Sequence, residues 1–238
     1  MNINAGLYDF KELNEQIRNA KSDLVIQNCL GHRSIAAGQG RRNIEIYGTP
    51  GNALGCYLNG AELHVYANVQ DQAGDTMNDG RIVVHGDAGD AVGYAMRGGE
   101  IYVEGSAGYR AGIHMKAYQD KKPVIVIGGK AGSFLGEYQA GGLIIVLGMG
   151  CADQEVYGRF CGTGMHGGKI YIRAGKLARV LPEQVHAKEA DEEDIHEIQP
   201  YLEAYSHYFG KSLPDDGKKF FVLTPNSKNP YKKMYAMN

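Results

Sequence analysis

The chain repeats itself every 19 residues. Stretches opening at Asn43, Glu62, Arg81 and Glu100 alternate polar or mixed residues with aliphatic ones, and their starts are separated by 62−43, 81−62 and 100−81, each 19. A fixed period of that size marks a solenoid, in which each unit is one coil stacked on the last. Val124 opens the next such stretch 24 residues after Glu100, so about five extra residues sit near 118–122. Leu143 follows after 19 residues and Lys169 after 26, which places about seven extra residues around 151–159. Counting back 19 from Asn43 predicts a degenerate first coil at Leu24-Val25-Ile26, for seven to eight coils in all.

Positions within the coil differ in chemistry. Ile44 and Ile46, Leu63 and Val65, Ile82 and Val84, Ile101 and Val103, Ile125 and Ile127, Ile144 and Val146, and Ile170 and Ile172 sit two apart in each repeat. Strand side chains alternate faces, so these pairs share one face and stack as inward rungs. The residue between them, Glu45, His64, Val83, Tyr102, Val126, Ile145 or Tyr171, belongs to an outward or partner-covered face. Glycines recur at fixed offsets: Gly48, Gly51 and Gly55; Gly86, Gly89 and Gly93; Gly105, Gly108 and Gly112; Gly129, Gly132 and Gly136. Glycine permits positive φ and close backbone approach, so these positions are expected at the corners where every coil turns. Leu54, Ala73, Val92, Ala111 and Leu135 form a second inward column, and Leu58, Met77, Met96 and Met115 a third. Inward columns between glycine corners predict an all-β solenoid, a single-stranded parallel β-helix. No GxxxxGK[ST] stretch is present, and no Gly-x-Gly-x-x-Gly opens a helical pattern, so the glycines are not read as phosphate loops.

The 25 basic residues are balanced by 27 acidic ones, leaving a formal charge of −2 and no electrostatic case for nucleic acid. No apolar run reaches membrane-spanning length, and the start lacks a leader pattern, so a cytoplasmic protein without a membrane partner is expected. Cys29, Cys56, Cys151 and Cys161 are too widely spaced for a structural zinc site, and no metal is expected. Cys56 reads as a small buried hydrophobe, while Cys151 and Cys161 fall beside the longest insertion. Residues 1–23 form an N-terminal cap, with Asp9 and Glu12 as a capping box opening a helix from Phe10 to Ala20. The β-helix occupies 24–176. A C-terminal helical cap and tail fill 177–238, where Asp191-Glu192-Glu193-Asp194 opens a helix that Pro200 is expected to split in two and Gly210 to end, followed by a strand at Phe220 to Leu223.

The coil glycines resemble the GXGXG domain at the C-terminus of the large subunit of glutamate synthase. Glu137 to Gly148, Gly164-Met165-His166-Gly167-Gly168, His207 to Ser212, and Phe221 to Pro225 with Tyr231 are similar to that domain beyond the repeat. Its Gly-Met-x-Gly-Gly units also resemble the C subunit of formylmethanofuran dehydrogenase, and Met77, Met96, Met115 and Met165 fit either family. The first resemblance implies a right-handed β-helix standing alone as a structural subunit. It would brace an amidotransferase and a synthase subunit that carry ammonia from glutamine to 2-oxoglutarate, for glutamate biosynthesis and ammonia assimilation. FMN and an iron–sulfur cluster would then sit on those partner subunits, with no cofactor and no catalytic residue on this chain, a subunit of an oxidoreductase. The second resemblance implies the corresponding scaffold in a molybdenum or tungsten complex. Tyr47, Tyr66, Tyr102 and Tyr171 fall at outward strand positions and are the candidate partner surface. Self-association is left open. No acid pair recurs on adjacent coils as a glycosidase would need, since Glu45 and Glu104 are separated by His64 and Val83.

Overall fold

A computed structural model of the chain describes residues 1–226. Nine strands stack in parallel and in sequence order: β1 (Asn2–Asn4), β2 (Leu24–Leu30), β3 (Asn43–Thr49), β4 (Asn59–Val65), β5 (Asp79–Val84), β6 (Glu100–Val103), β7 (Val124–Ile127), β8 (Ala140–Val146) and β9 (Gly167–Ala174). This is a parallel solenoid of about eight turns. The pairing Asn43↔Glu62, Arg81↔Glu100, Glu100↔Val124, Val124↔Leu143 and Leu143↔Lys169 follows the sequence repeat, including both longer steps. A short turn bridged by Tyr118 and Lys121 holds the first insertion, and a 3-10 turn at Asp153–Glu155 the second.

The first coil departs from the expected register. Leu24 pairs with Ile44 and Ile26 with Ile46, a step of 20, and the ladder recovers the step of 19 only at Cys29↔Gly48. Asn28, at φ 57, lies in the irregularity that absorbs the extra residue. The slip is physically required, because it turns Leu24 and Ile26 inward, whereas the simple count would have buried Val25 and Gln27.

The inward rungs, the Leu54 to Leu135 column and the methionine column all lie in one buried core. A fourth column was not anticipated: Val69, Ala88, Ala107, Ala131 and Tyr157 stack through single parallel bridges. Gln139 interrupts the methionine column between Met115 and Met165; it is fully buried and donates to the carbonyls of Gly141 and Gly142 at 3.2 and 3.1 Å.

Each end is closed differently. At the front, α1 (Phe10–Asn19) begins with the capping box of Asp9 and Glu12 and drives Leu13 and Ile17 into the core. Arg42 donates to the Ile17 and Ala20 carbonyls at 3.0 and 2.7 Å, satisfying acceptors at the helix C-terminus. At the back, a hairpin of β10 (Val185–Glu189) and β11 (Lys219–Pro225) reverses direction, with β11 antiparallel to β9. Strand β10 was not expected from the sequence. Between its strands the chain makes one continuous helix, α2 (Glu192–Phe209), ended by Gly210 in the left-handed region. Pro200 does not split it. The proline is exposed, as is His196, whose carbonyl it deprives of a helical donor, while Ile198 and Tyr205 bury on the sheet on either side of it.

Candidate partner-binding surfaces

The corners are built from left-handed residues in alternation, such as Ala91, Gly93 and Ala95 at φ 55, 69 and 50. The middle position faces the core, and a Cβ at Gly93 would overlap the Ile125 side chain. Gly55, Gly112 and Gly136 occupy the same place against Ile82, Ile144 and Ile170, and Gly48 also has positive φ. Gly51, Gly86, Gly89, Gly105, Gly108, Gly129 and Gly132 need no unusual φ; there the preceding coil fills the place of a Cβ. None of the twelve forms an open cradle. Corner acids are likewise engaged in structure: Asp71 accepts from the Asp90 amide at 2.8 Å, Asp90 from Tyr109 at 2.8 Å and Asp87 from Ser106 at 2.7 Å, one coil further on.

Among the described residues no group of three or more His, Cys, Asp or Glu is placed to hold a metal. The four cysteines are unpaired. Burial pushes the Cys29 thiol up to about 11 and the Cys161 thiol up to about 12, far from a reactive thiolate at neutral pH.

Three outward regions stand out among the described residues. On the first, the sheet face divides between the chain's own helix and solvent. Tyr102 and Tyr171, expected at a partner surface, are 1% and 0% exposed because α2 covers them together with Val83, Val126 and Ile145. The Tyr102 hydroxyl donates to Glu100 at 2.9 Å and that of Tyr171 to Glu197 at 2.7 Å; burial first and these carboxylates second hold both phenols well above the ordinary range. Burial alone would raise the Asp194 and Glu197 carboxyls. Lys188 and Lys169 beside Asp194, and Lys122, the Tyr171 hydroxyl and Lys169 beside Glu197, instead pull each down to about 2. Tyr47 and Tyr66 lie beyond the helix, 39% and 42% exposed, stacked at 4.7 Å, and Tyr66 stacks in turn on His85 at 4.7 Å.

The second region is a charged groove of about 390 Å³ beside the 118–122 turn. Arg81 reaches Glu100 at 2.9 Å and Glu62 at 3.5 Å, and His64 meets Glu62 at 2.9 Å. Lys121 pairs with Asp79 at 3.1 Å and Lys122 with Glu197 at 2.6 Å, so these cations are already neutralised within the chain. The third is an apolar groove of about 560 Å³ at the last coil, walled by Phe160, Val180, Leu181 and Pro182. Sequence reasoning missed it, because its wall at 178–182 falls after the repeats stop.

A model of the GXGXG motif matches residues 12–220, most of the chain. The chain belongs to the GXGXG family. An uncharacterized protein of Methanocaldococcus jannaschii is 47% identical to this GXGXG chain over 251 residues, covering 98% of it and 95% of the relative. A chain from the crystal structure of the formyltransferase/hydrolase complex (FhcABCD) of Methylorubrum extorquens with methylofuran is similar at TM-score 0.60 and 22% identity. That match covers 76% of this GXGXG chain and 66% of the other, so the chain spans about two thirds of its neighbour's length, and the likeness is one of fold.

Proposed function

We propose that this chain is a non-catalytic bracing subunit of a multi-subunit enzyme, in an assembly of the formyltransferase/hydrolase or formylmethanofuran type. The observation that carries the reading is the solenoid itself: corner glycines and corner acids are engaged in holding coils together, the buried tyrosines in seating α2, and the fold's solved neighbour belongs to such a complex. Stacked coils with hydrogen-bonded strands make a stiff rod, and a stiff rod fixes the separation of whatever docks along it. Catalytic residues and cofactors would then lie on the neighbouring subunits, in the cytoplasm.

A second reading is the glutamate synthase-type brace, with amidotransferase and FMN/iron–sulfur subunits as partners. It is favoured by the residues after the last coil, His207 to Ser212 and Phe221 to Pro225, which close α2 and build β11. The two are separated by recovering the tagged chain from its own cells and sequencing the proteins that elute with it in fixed proportion. Formyl-transferring subunits support the first reading, and an amidotransferase with a flavoprotein supports the second. Recovery as a free 25.9 kDa protein, or turnover by the isolated chain, would overturn both.

A further inference from the structure

The apolar groove at the last coil differs from the rest of the rod surface. Val180 is 94% exposed, and Phe160 is held outward by a left-handed backbone at φ 60. Phe160 stacks on Phe134 at 5.0 Å, and Arg110 lies over Phe134 at 4.7 Å, so an aromatic ladder leads along the corner into the groove. Exposed aliphatic and aromatic side chains gathered around one cavity are the composition of a docking site rather than of a solvated surface.

Charge says what fits there. Among the described residues, the groove is lined by Arg159 and Arg179 and by no acidic residue. The Arg179 guanidinium donates to the backbone carbonyls of Tyr157 and Gln154, each at 2.7 Å, and among the described residues no carboxylate pairs with it. This is the reverse of the groove beside the 118–122 turn, where lysines and Arg81 meet carboxylates of the chain itself. An apolar cleft rimmed by unneutralised guanidinium groups selects a segment with carboxylates on either side of a large apolar side chain, because guanidinium–carboxylate pairs are strong and directional.

We propose that the groove formed by Phe160, Val180, Leu181 and Pro182, with Arg159 and Arg179 at its rim, is the docking site for an acidic, apolar-anchored segment of a partner protein. The inference rests on the bracing reading for the existence of a protein partner, and adds which surface it uses and what chemistry it brings.

The test uses the full chain and two fluorescent peptides, Glu-Asp-Leu-Leu-Phe-Asp-Glu and its counterpart with lysine at every acidic position. The acidic peptide is expected to bind at least tenfold more tightly than the basic one, with an affinity that falls as salt is raised. Val180→Asp, at a position too exposed to affect folding, should weaken binding on the order of tenfold, since it removes an apolar anchor and adds repulsion toward the acidic peptide. Arg159→Glu should narrow or reverse the preference between the two peptides. Equal binding of both peptides, binding of neither, or binding untouched by Val180→Asp would overturn the proposal. A dimer by light scattering that Val180→Asp converts to monomer would also overturn it, by making a second copy the occupant. If the tagged wild-type and Val180→Asp chains recover the same partner subunits equally well, the docking surface is wrong while the bracing reading stands.

Discussion

At the scale of single residues, the fold depends on where a Cβ can go. Gly93 combines positive φ with a buried neighbour, Ile125, in the space its side chain would need. Gly93→Ala therefore adds backbone strain to overpacking and should cost about 2–4 kcal/mol in urea unfolding. Ala91, two residues earlier at φ 55, points outward, and Ala91→Gly relieves strain without opening a cavity. That change should be neutral or stabilising by up to about 1 kcal/mol. The pair separates the two reasons for glycine that a repeat alone runs together. His85 supplies a second residue-scale test. Burial first, then the neighbouring His64, lowers its pKa below 6.5 against a smaller opposing effect of Glu104, and its Nε2 is buried without a hydrogen-bond partner. Tyr66 and Phe209 pack on the ring. Unfolding restores the ordinary affinity for a proton, so stability is full above about pH 7 and falls as pH drops through 6.5 toward the folded value. In His85→Phe that part of the pH dependence should shrink, and an unchanged profile from pH 7.5 to 5 would refute the assignment.

At the scale of elements, α2 is a clamp held by packing on one side and ion pairs at its start. Lys169 pairs with Asp194 at 3.1 Å and with Glu197 at 2.9 Å, and the Tyr205 hydroxyl donates to the Glu104 carbonyl at 2.9 Å. Carboxyls held near 2 when folded, against 3.8 and 4.5 otherwise, stabilise docking above about pH 4.5 and lose that contribution as pH falls from there to about 2. The loss is on the order of a few kcal/mol, concentrated on the helix rather than the rod. Because the chain has no tryptophan, near-UV dichroism reads its tyrosines, among them Tyr171 beneath α2 and Tyr205 on the buried side of α2. That signal should fade on acidification before the far-UV β signal does; simultaneous loss would mean that helix and coils unfold as one. The coils were legible in the sequence because one geometry recurs seven times, so each aliphatic pair and corner glycine is read against its neighbours. The position of α2 was not, because a helix seen once gives its apolar face but not the surface it meets. Val83, Val126 and Ile145 were the available signal: the outward column turns apolar over the stretch that the helix covers, and Tyr102 and Tyr171 belonged to that stretch rather than to the open tyrosines. Strand β10 and the groove wall at 178–182 lie outside any repeat, and nothing local in Val185–Glu189 names its partner.

At the scale of the whole molecule, the rod is not covered evenly. An 18-residue helix is about 27 Å long, and five strands at about 4.8 Å spacing span roughly 19 Å, so α2 covers β5 to β9 and ends as Tyr208 reaches His64 on β4. From β5 onward the outward residues Val83, Tyr102, Val126, Ile145 and Tyr171 are buried as well as the inward ones, whereas Glu45 and Tyr47 on β3, His64 on β4 and Tyr66 just after it are reached by solvent. A solenoid's coils contact only their neighbours, so local stability follows local cover rather than averaging over the chain. Amide hydrogen exchange should be slowest in β6 to β9 and faster in β2 to β4 by about ten- to a hundredfold. At the front, α1 shields the first coil through Leu13 and Ile17, beside the short strand β1 that pairs with β2. Leu13→Asp puts a charge at a fully buried site and should cost on the order of 3 kcal/mol. If coils are energetically separable, exchange in β1 to β3 accelerates while β7 to β9 keep the wild-type rates, because α2 and the β10–β11 hairpin hold them independently of the front. Equal acceleration along the rod would instead make it one cooperative unit, and a rod of that kind would transmit loss of its front cap to its far end.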